Sequence, residues 1–545
     1  MATILMEDTL SQSADLLIHN ARVFTADPAN PDAEAVAVRG NQIVFVGPNS
    51  AAEAWRGPNT RLIDGQQRSL LPGFIDSHFH LFWGSIEAGD IQLHTVDSLY
   101  GLAAAIRTYA HAHPDSGWLV GRGLQYSILP QGQSLTRHQL DVIIADRPLI
   151  VFSYDVHTAW ANTLALREAG ILTQDRPVGP NSEIVRDVDG SAAGELRESG
   201  AYDLVLDLVP PPTEARKREL LQMGLAQAAA LGVTSVHNMD GDAEQLAIYL
   251  AAEAAGDLTL RVYCPLHVKP ETPIEALAEA VAMRDACTGE MVRSNCVKFF
   301  MDGVIETYTG LLLDDYAGQP GNHGGALFTA DHFTRMATEA DRLGLQIFVH
   351  AVGDGAVRRI LDSFAAVRQT NGRRDSRHRI EHIELIHPDD LPRFAELGVI
   401  ASMQPAHAIL TIDDPDPWPR RIPESRWGCA FAWQTVREAG AKMAFGSDWP
   451  VATPDPFTGL YFALNRQPWA SGLPHQRQSL TDTLLSYTRD AAYAEFQEHR
   501  KGQLRPGMLA DLVLLSDDIF TVPPEAVEQI KPVMTVCNGR ITYQA

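Results

Sequence analysis

Eight short apolar runs lie between residues 73 and 447, and stretches between them, such as Lys217 to Leu231 and Ile274 to Arg284, are rich in Ala and Leu and read as helices. The runs are Gly73–Ser77, Val233–Asn238, Leu260–Leu266, Cys296–Phe300, Leu345–His350, His378–His382, Val399–Gln404 and Lys442–Ser447. A strand reaches a parallel neighbour only through a crossover, so strand and helix in alternation build parallel β-α units. Eight such units predict an α/β fold of the (β/α)8 TIM-barrel type. One barrel absorbs about 250 residues, and this chain has 545, so other structure must be attached to it. The first and second runs are about 150 residues apart, far beyond an ordinary connection. An α/β insertion over residues 95–215 is therefore expected, with strand-like Trp118–Leu124 and Leu149–Tyr154 inside it.

Both ends of the chain look different from the middle. Leu16 to Thr25 and Ala35 to Val46 alternate as half-buried strands do, and Asp511 to Leu515 and Val533 to Tyr543 repeat that pattern after the turn Leu504-Arg505-Pro506-Gly507-Met508. Chain ends in compact proteins often meet. We expect one composite β-sandwich from residues 1–70 and 500–545 around a barrel domain of residues 71–499, which carries the insertion.

Composition narrows the function classes. Lys+Arg 44 against Asp+Glu 68 gives a formal charge of −24, a sign that repels phosphate backbones and anionic lipid at long range. Nucleic-acid and membrane partners are thus not expected. The five cysteines are scattered without a C-x-x-C pair, against a disulfide framework or a thiolate metal site. Residues 1–20 carry Glu7, Asp8 and Asp15 and lack the basic start and apolar core of a signal peptide. With no apolar stretch near the ~20 residues of a membrane helix, the expected location is cytoplasmic.

The strongest local signal is His78-Phe79-His80 at the end of the first run. Alternation in an extended chain puts both histidines on one side, about 6–7 Å apart, close enough to converge on a cation. Further along, the fourth, fifth, sixth and eighth runs carry Lys298, His350, His382 and Asp448, the last three at or just past their C-terminal ends. Barrel active sites form at that face, so these residues read as a ligand set rather than as core. Lys298 has no lone pair while charged. Neutralised by burial it can take up carbon dioxide as an anionic carbamate, or it can simply pair with Asp302 or Asp448.

The H-x-H after "LLPGFID", the strand-end lysine, the two single histidines and the aspartate of "GSD" resemble the amidohydrolase superfamily. "VKFFMDG", "HAVGD" (His350 to Asp354), "RIEH" (Arg379 to His382), "SMQPAH" (Ser402 to His407), "FGSDWP", "DVHTAWAN" (Asp155 to Asn162) and "LRPGMLADLVLL" resemble its YtcJ-like branch, amidohydrolase family 3, which includes N-substituted formamide deformylases. The resemblance covers nearly the whole chain. It implies a barrel with a composite sandwich and an insertion, and a centre of two zinc ions. By position, His78, His80 and Asp448 would hold one metal, His350 and His382 the other, and Lys298 as N6-carboxylysine would bridge them.

The expected activity is a metal-dependent hydrolase that cleaves a non-peptide C–N bond, a linear amide or N-substituted formamide, by metal-bound hydroxide with Asp448 as general base and then acid. Candidate substrate contacts are Phe82, Trp83, Tyr154, His157, Trp160, His237, Gln404, His407 and Trp449. Glu195 and Glu198 in "GELRE" read as a solvated helix face, and Asp413 to Arg421 as a long loop able to act as a lid. The partner expected is a small-molecule amide, and the assembly a homodimer. A deaminase or cyclic-amide hydrolase on the same scaffold is the nearest alternative. Deaminases of this superfamily add an H-x-x-E acid on the fifth strand, whereas here Gly353 stands three past His350 and the acid comes at Asp354. A non-catalytic scaffold protein is the alternative from another class, and it predicts eroded ligands.

Overall fold

The computed structural model describes residues 13–129, 133–154, 157–174, 176–178, 182–413 and 416–545. They form two compact units, one of the chain up to Leu81 together with Leu225–Ala545, the other Phe82–Gly224. None of the helices among the described residues is long and apolar enough to cross a membrane.

The first unit is built on parallel strands: β1 (Phe74–Phe79), β2 (Val233–Asn238), β3 (Arg261–Tyr263), β4 (Leu266–His267), β5 (Val292–Arg293), β6 (Cys296–Phe300), β7 (Gln346–Ala351), β8 (Arg379–His382), β9 (Ile400–Met403) and β10 (Lys442–Phe445). They lie in two parallel sheets, one in the order β1-β2-β3-β5 and the other β4-β6-β7-β8-β9-β10. The run expected as one strand over Leu260–Leu266 is split by Cys264-Pro265 into β3 and β4. Proline has no N–H for the ladder, which accounts for the break. Nearly every strand residue is buried, as in sheets covered on both faces.

The first strand also meets the last. Ser447 N–H donates to the Asp76 carboxylate at 3.0 and 3.1 Å, Asp448 N–H to the His78 carbonyl at 2.7 Å, and His80 N–H to the Trp449 carbonyl at 2.9 Å. Gly446 permits this approach, because a Cβ there would come within 2.4 Å of the His78 backbone nitrogen. Helices cross between strands with the expected signals. Thr329 caps Ala330–Arg342 by accepting from His332 N–H, and Phe333, Met336, Ala337 and Ala340 form its buried stripe. Leu391–Leu397 stops at Gly398, whose φ of 72° suits a residue without Cβ.

The chain termini interleave. One six-stranded sheet runs Arg540–Gln544, Pro532–Cys537, Leu512–Leu515, Ser69–Pro72, Arg22–Phe24, Asp32–Ala33. A four-stranded sheet of Gln42–Gly47, Ala35–Arg39, Leu16–His19 and Arg61–Asp64 shares a core with it. Alternate residues meet there: Leu16 and Ile18, Val36 and Val38, Leu512 and Leu514, Met534 and Val536. Each such fully buried side chain contributes about 1.5–3 kcal/mol. Thr535 Oγ1 donates to the Ala229 carbonyl at 2.7 Å, and a bidentate pair from Arg261 of β3 to Asp511 (2.7 and 3.0 Å) ties this sheet to the parallel one.

The second unit has a mixed six-stranded sheet in the order Glu183–Arg186, Ala192–Arg197, Thr158–Ala161, Leu149–Ser153, Leu119–Leu124, Ile91–Gln92. Leu119, Leu149 and Val151 face helices Leu99–Ala112 and Arg137–Ile143, while Val120, Ile150 and Phe152 face Thr163–Glu168 and Ser199–Leu206. That alternation is the period-two pattern of a sheet with helices on both sides.

Candidate metal centre

The ends of β1, β8 and β10 bring His78, His382 and Asp448 together with ligand atoms all within 4.8 Å of one another. His80 joins them. Asp448 Oδ1 lies 3.2 Å from His78 Nε2 and 3.1 Å from His80 Nε2, and Oδ2 lies 3.9 Å from His382 Nδ1. The His350 ring is 4.4 Å from that of His382, and the His78 ring is 4.6 Å from it. His382 and Asp448 adopt left-handed backbone conformations, φ 73° and 62°. Such conformations cost of order 1–3 kcal/mol in non-glycine residues and cluster at functional sites.

The tautomers follow from the partners. His78 Nδ1 is 2.8 Å from Glu381 Oε2 and His80 Nδ1 is 2.7 Å from Asp240 Oδ1, so each Nδ1–H donates to a carboxylate. Each Nε2 then presents its lone pair toward Asp448. Two lone pairs and a carboxylate oxygen converge at about hydrogen-bond range, yet Asp448 Oδ1 has no hydrogen-bond partner. Such an arrangement is repulsive unless a proton on His80 or a metal cation lies among them, and the donor set fits a divalent ion. His350 Nε2 donates to the Gly303 carbonyl at 3.2 Å, which leaves its Nδ1 as the ligand atom.

Lys298 is fully buried and its Nζ has no hydrogen-bond partner. It lies 4.9 Å from the Phe300 ring centroid rather than in a hydrogen-bonded pair with Asp302 or Asp448. Asp302 instead accepts backbone N–H groups of Leu311, Val352 and Gly353 at 2.8–3.0 Å, and so fixes the loops after β6 and β7. Burial brings the Lys298 ammonium down to about 8, where a neutral amine is within reach. Burial and then Lys298 push His350 down to about 3, and burial and then His350 push His382 well below the usual imidazole range. Although burial disfavours its charge, the charge of His78 and the close approach of His78 and His80 hold the Asp448 carboxyl well below the usual range. For His80, burial is outweighed by Asp240 and Asp448, which raise it to about 9.

The second tier of expected residues divides. His407 stands beside the centre, its ring stacked on His382 at 6.0 Å and its Nε2 3.7 Å from Asp448 Oδ2. Gln404 is buried with Oε1 unpartnered, and Trp449 packs at 5.0 Å on Phe79. His237 is enclosed. Its Nδ1 accepts from Arg379 at 2.6 Å and its Nε2 faces Glu495, so it serves protein groups rather than a substrate. Phe82, Trp83, Tyr154, His157 and Trp160 all belong to the second unit. There Trp83 bonds Glu87, Tyr154 meets the Tyr126 ring, His157 meets Glu198, and Trp160 donates to Ser134. Glu195, expected on a solvated face, is buried and accepts from Ser134 and Arg197. Asp155 and residues 414–415 of the expected lid loop lie outside the described residues.

Sequence reasoning missed Glu381, Asp240 and Arg379 as partners of the histidines. It also missed Glu384, which accepts from Trp418 Nε1 at 2.7 Å and lies 3.8 Å from His407 Nδ1. Glu306 nearby is raised to about 7 by burial and then by Glu384.

Comparison with known proteins places this geometry in context. A model of the amidohydrolase family matches residues 61–543. Protein LONG AFTER FAR-RED 3 of Arabidopsis thaliana is 31% identical over 519 residues, 92% of this chain and 87% of that protein. N-substituted formamide deformylase of Arthrobacter pascens is 25% identical over 98% of this chain and 99% of its own. An uncharacterized metal-dependent hydrolase from Pyrococcus furiosus shares the fold, with a TM-score of 0.74 and 24% identity over 91% of this chain and 98% of that one.

Proposed function

The chain belongs to the amidohydrolase family, and from that premise we propose that it is a metal-dependent hydrolase of a non-peptide carbon–nitrogen bond, with N-substituted formamides or related linear amides as substrates. The observation that carries this reading is the convergence of His78 Nε2, His80 Nε2 and an unpartnered Asp448 Oδ1 within 3.2 Å, beside the buried unpartnered amine of Lys298. The substrate class is supported by the name of the Arthrobacter relative, which matches from end to end. In this reading the two parallel sheets are halves of one (β/α)8 barrel, closed where β1 meets the segment after β10, and the interleaved termini are its sandwich domain.

His78, His80 and Asp448 would hold one zinc ion, and His350 and His382 a second, with Lys298 as N6-carboxylysine between them. When bound, such ions lower the pKa of water toward 7 and polarise a substrate carbonyl. Asp448 accepts the proton released as water oxygen adds to the carbonyl carbon. It returns that proton to the amine nitrogen as the C–N bond breaks, giving a carboxylic acid, which then ionises to solvent, and a free amine. Glu381 and Asp240 keep the two histidines in the tautomer that presents Nε2. His407 Nε2 lies 3.7 Å from Asp448 Oδ2 without a hydrogen-bond partner, where it can donate to a substrate oxygen.

The test is elemental analysis of protein prepared without chelator, combined with a screen of N-benzyl and N-aryl formamides, acetamides and cyclic imides. Bound transition metal and turnover of a linear amide that Asp448→Asn abolishes are expected. Metal-free protein, or activity indifferent to Lys298→Ala and Asp448→Asn, refutes it. A second reading, a metal-containing protein without turnover, draws on the plant relative, whose name describes no reaction. Metal content with no hydrolysis across the screen would favour it.

A further inference from the structure

Behind the candidate centre a line of charged side chains runs through the interior of the first unit. Glu381, which receives the His78 Nδ1–H, accepts from Arg379 Nε at 2.9 Å and Nη2 at 3.1 Å. Arg379 also donates to Ser402 Oγ at 2.8 Å, to the Ser77 carbonyl and to His237 Nδ1 at 2.6 Å, and its guanidinium lies 4.2 Å from the Phe348 ring centroid. His237 Nε2 is 3.3 Å from Glu495 Oε1, and the same oxygen contacts Lys501 Nζ, which also donates to Ser235 Oγ. Arg293 donates to the Glu495 carbonyl at 2.8 Å. Arg379, Glu381 and His237 are fully buried, and Glu495 and Lys501 are each 2% exposed.

Each group is constrained by the next. A guanidinium has only donors, so His237 Nδ1 must accept and its proton sits on Nε2, aimed at Glu495. Glutamate, arginine, neutral histidine, glutamate and lysine alternate in sign and sum to zero, which is the condition under which buried charges persist. If Lys501 loses its charge, Glu495 keeps only the partly exposed Arg293 guanidinium, 3.8 Å from its other oxygen, and draws a proton onto His237. A doubly protonated His237 would point a donor at a donor, and Arg379 would have to leave it.

We propose that Glu495 and Lys501, with His237 and Arg379, are positioning residues for the metal centre, setting the orientation and tautomer of His78 through Glu381. The inference rests on the reading of that site as a metal centre. It goes beyond that reading by making zinc affinity depend on Lys501, which belongs to the segment that leads into the terminal sheets. Second-shell partners of metal ligands typically alter affinity about 10–100-fold when removed.

The experiment is zinc affinity by chelator competition on the full chain, read alongside the urea midpoint of the zinc-stripped protein. Lys501→Met is expected to weaken zinc binding at least about tenfold, whereas Lys501→Arg keeps it. Lys501→Gln, which keeps a donor toward Glu495 but removes the charge, carries the same expectation should Lys501→Met fail to fold. Asp341→Asn serves as control, since Asp341 is buried and bonded to His378, Arg374 and Asn371 away from this line. It should lower the urea midpoint without changing zinc affinity. A folded Lys501→Met or Lys501→Gln protein with wild-type zinc affinity overturns the inference, as does equal weakening by Asp341→Asn. Wild-type protein that binds no zinc refutes the metal reading instead.

Discussion

Asp448→Asn separates two duties that one side chain combines. The substitution keeps the size of the side chain and removes one negative charge. Oδ1 faces two histidine nitrogens at 3.1 and 3.2 Å, and Oδ2 faces His407 Nε2 at 3.7 Å and His382 Nδ1 at 3.9 Å. As a ligand it is one of six, so its loss weakens metal binding but leaves a site that excess zinc can fill. As a general base it has no substitute at that position, and such groups contribute about 10²–10⁴ in rate. At 1.36 kcal/mol per decade that is about 2.7–5.4 kcal/mol of barrier. The assay is kcat for the best amide of the screen, with zinc raised until the rate stops rising and metal content measured on the same sample. The expected outcome is a zinc-saturated variant slower by at least about 100-fold. A kcat within about tenfold of wild type at equal zinc load would show that the carboxylate is only a ligand.

Two further outcomes follow from buried charge. Arg261→Met leaves Asp511 as a buried anion stripped of its bidentate partner, so urea denaturation should report a loss of about 3–5 kcal/mol that Arg261→Met/Asp511→Leu largely restores; a loss below about 1 kcal/mol would show the pair to be effectively solvated. Burial lowers His237 to about 4, so the folded state leaves it neutral where the unfolded chain, with an ordinary imidazole near 6.5, takes up a proton. Its share of stability is fully present above pH 6.5 and falls away as the pH drops toward 4, by at most about 3 kcal/mol. Zinc-stripped wild type should therefore lose stability more steeply over that window than His237→Asn, and equal slopes would refute the assignment.

The apolar runs over Val233–Asn238 and Cys296–Phe300 became strands with those very boundaries, because a strand buried on both faces announces itself as an unbroken run. The ligand residues were legible for a related reason. Histidines, a lysine and an aspartate are conspicuous at the ends of apolar strands, where packing has no use for them. Their supporting carboxylates were not. Asp240 lies 160 residues from His80 and Glu381 lies 303 from His78, and a glutamate in sequence looks the same whether it faces water or an imidazole. One signal was present nonetheless. Arg379 and Glu381 flank Ile380 on one side of a strand that lies between other strands of the sheet, and opposite charges at that spacing can pair inside. The split at Cys264-Pro265 was readable from the proline, but hydropathy alone joined the two pieces.

The interleaving of the two ends has a consequence for how the molecule comes into being. Leu70 pairs with Leu514, so the strand leading directly into β1 is secured by residues synthesised about 440 positions later. Until Leu512–Leu515 are made, the sheet edge at Ser69–Pro72 is without that partner, and closing a loop of about 440 residues makes this pairing a late event. His78 and His80 hang from that strand. The nascent chain thus carries the two candidate ligand histidines from an early moment, yet can brace them only once Leu512–Leu515 are made. A chain truncated before residue 512 would keep all six candidate ligands and lack the brace that fixes the first two.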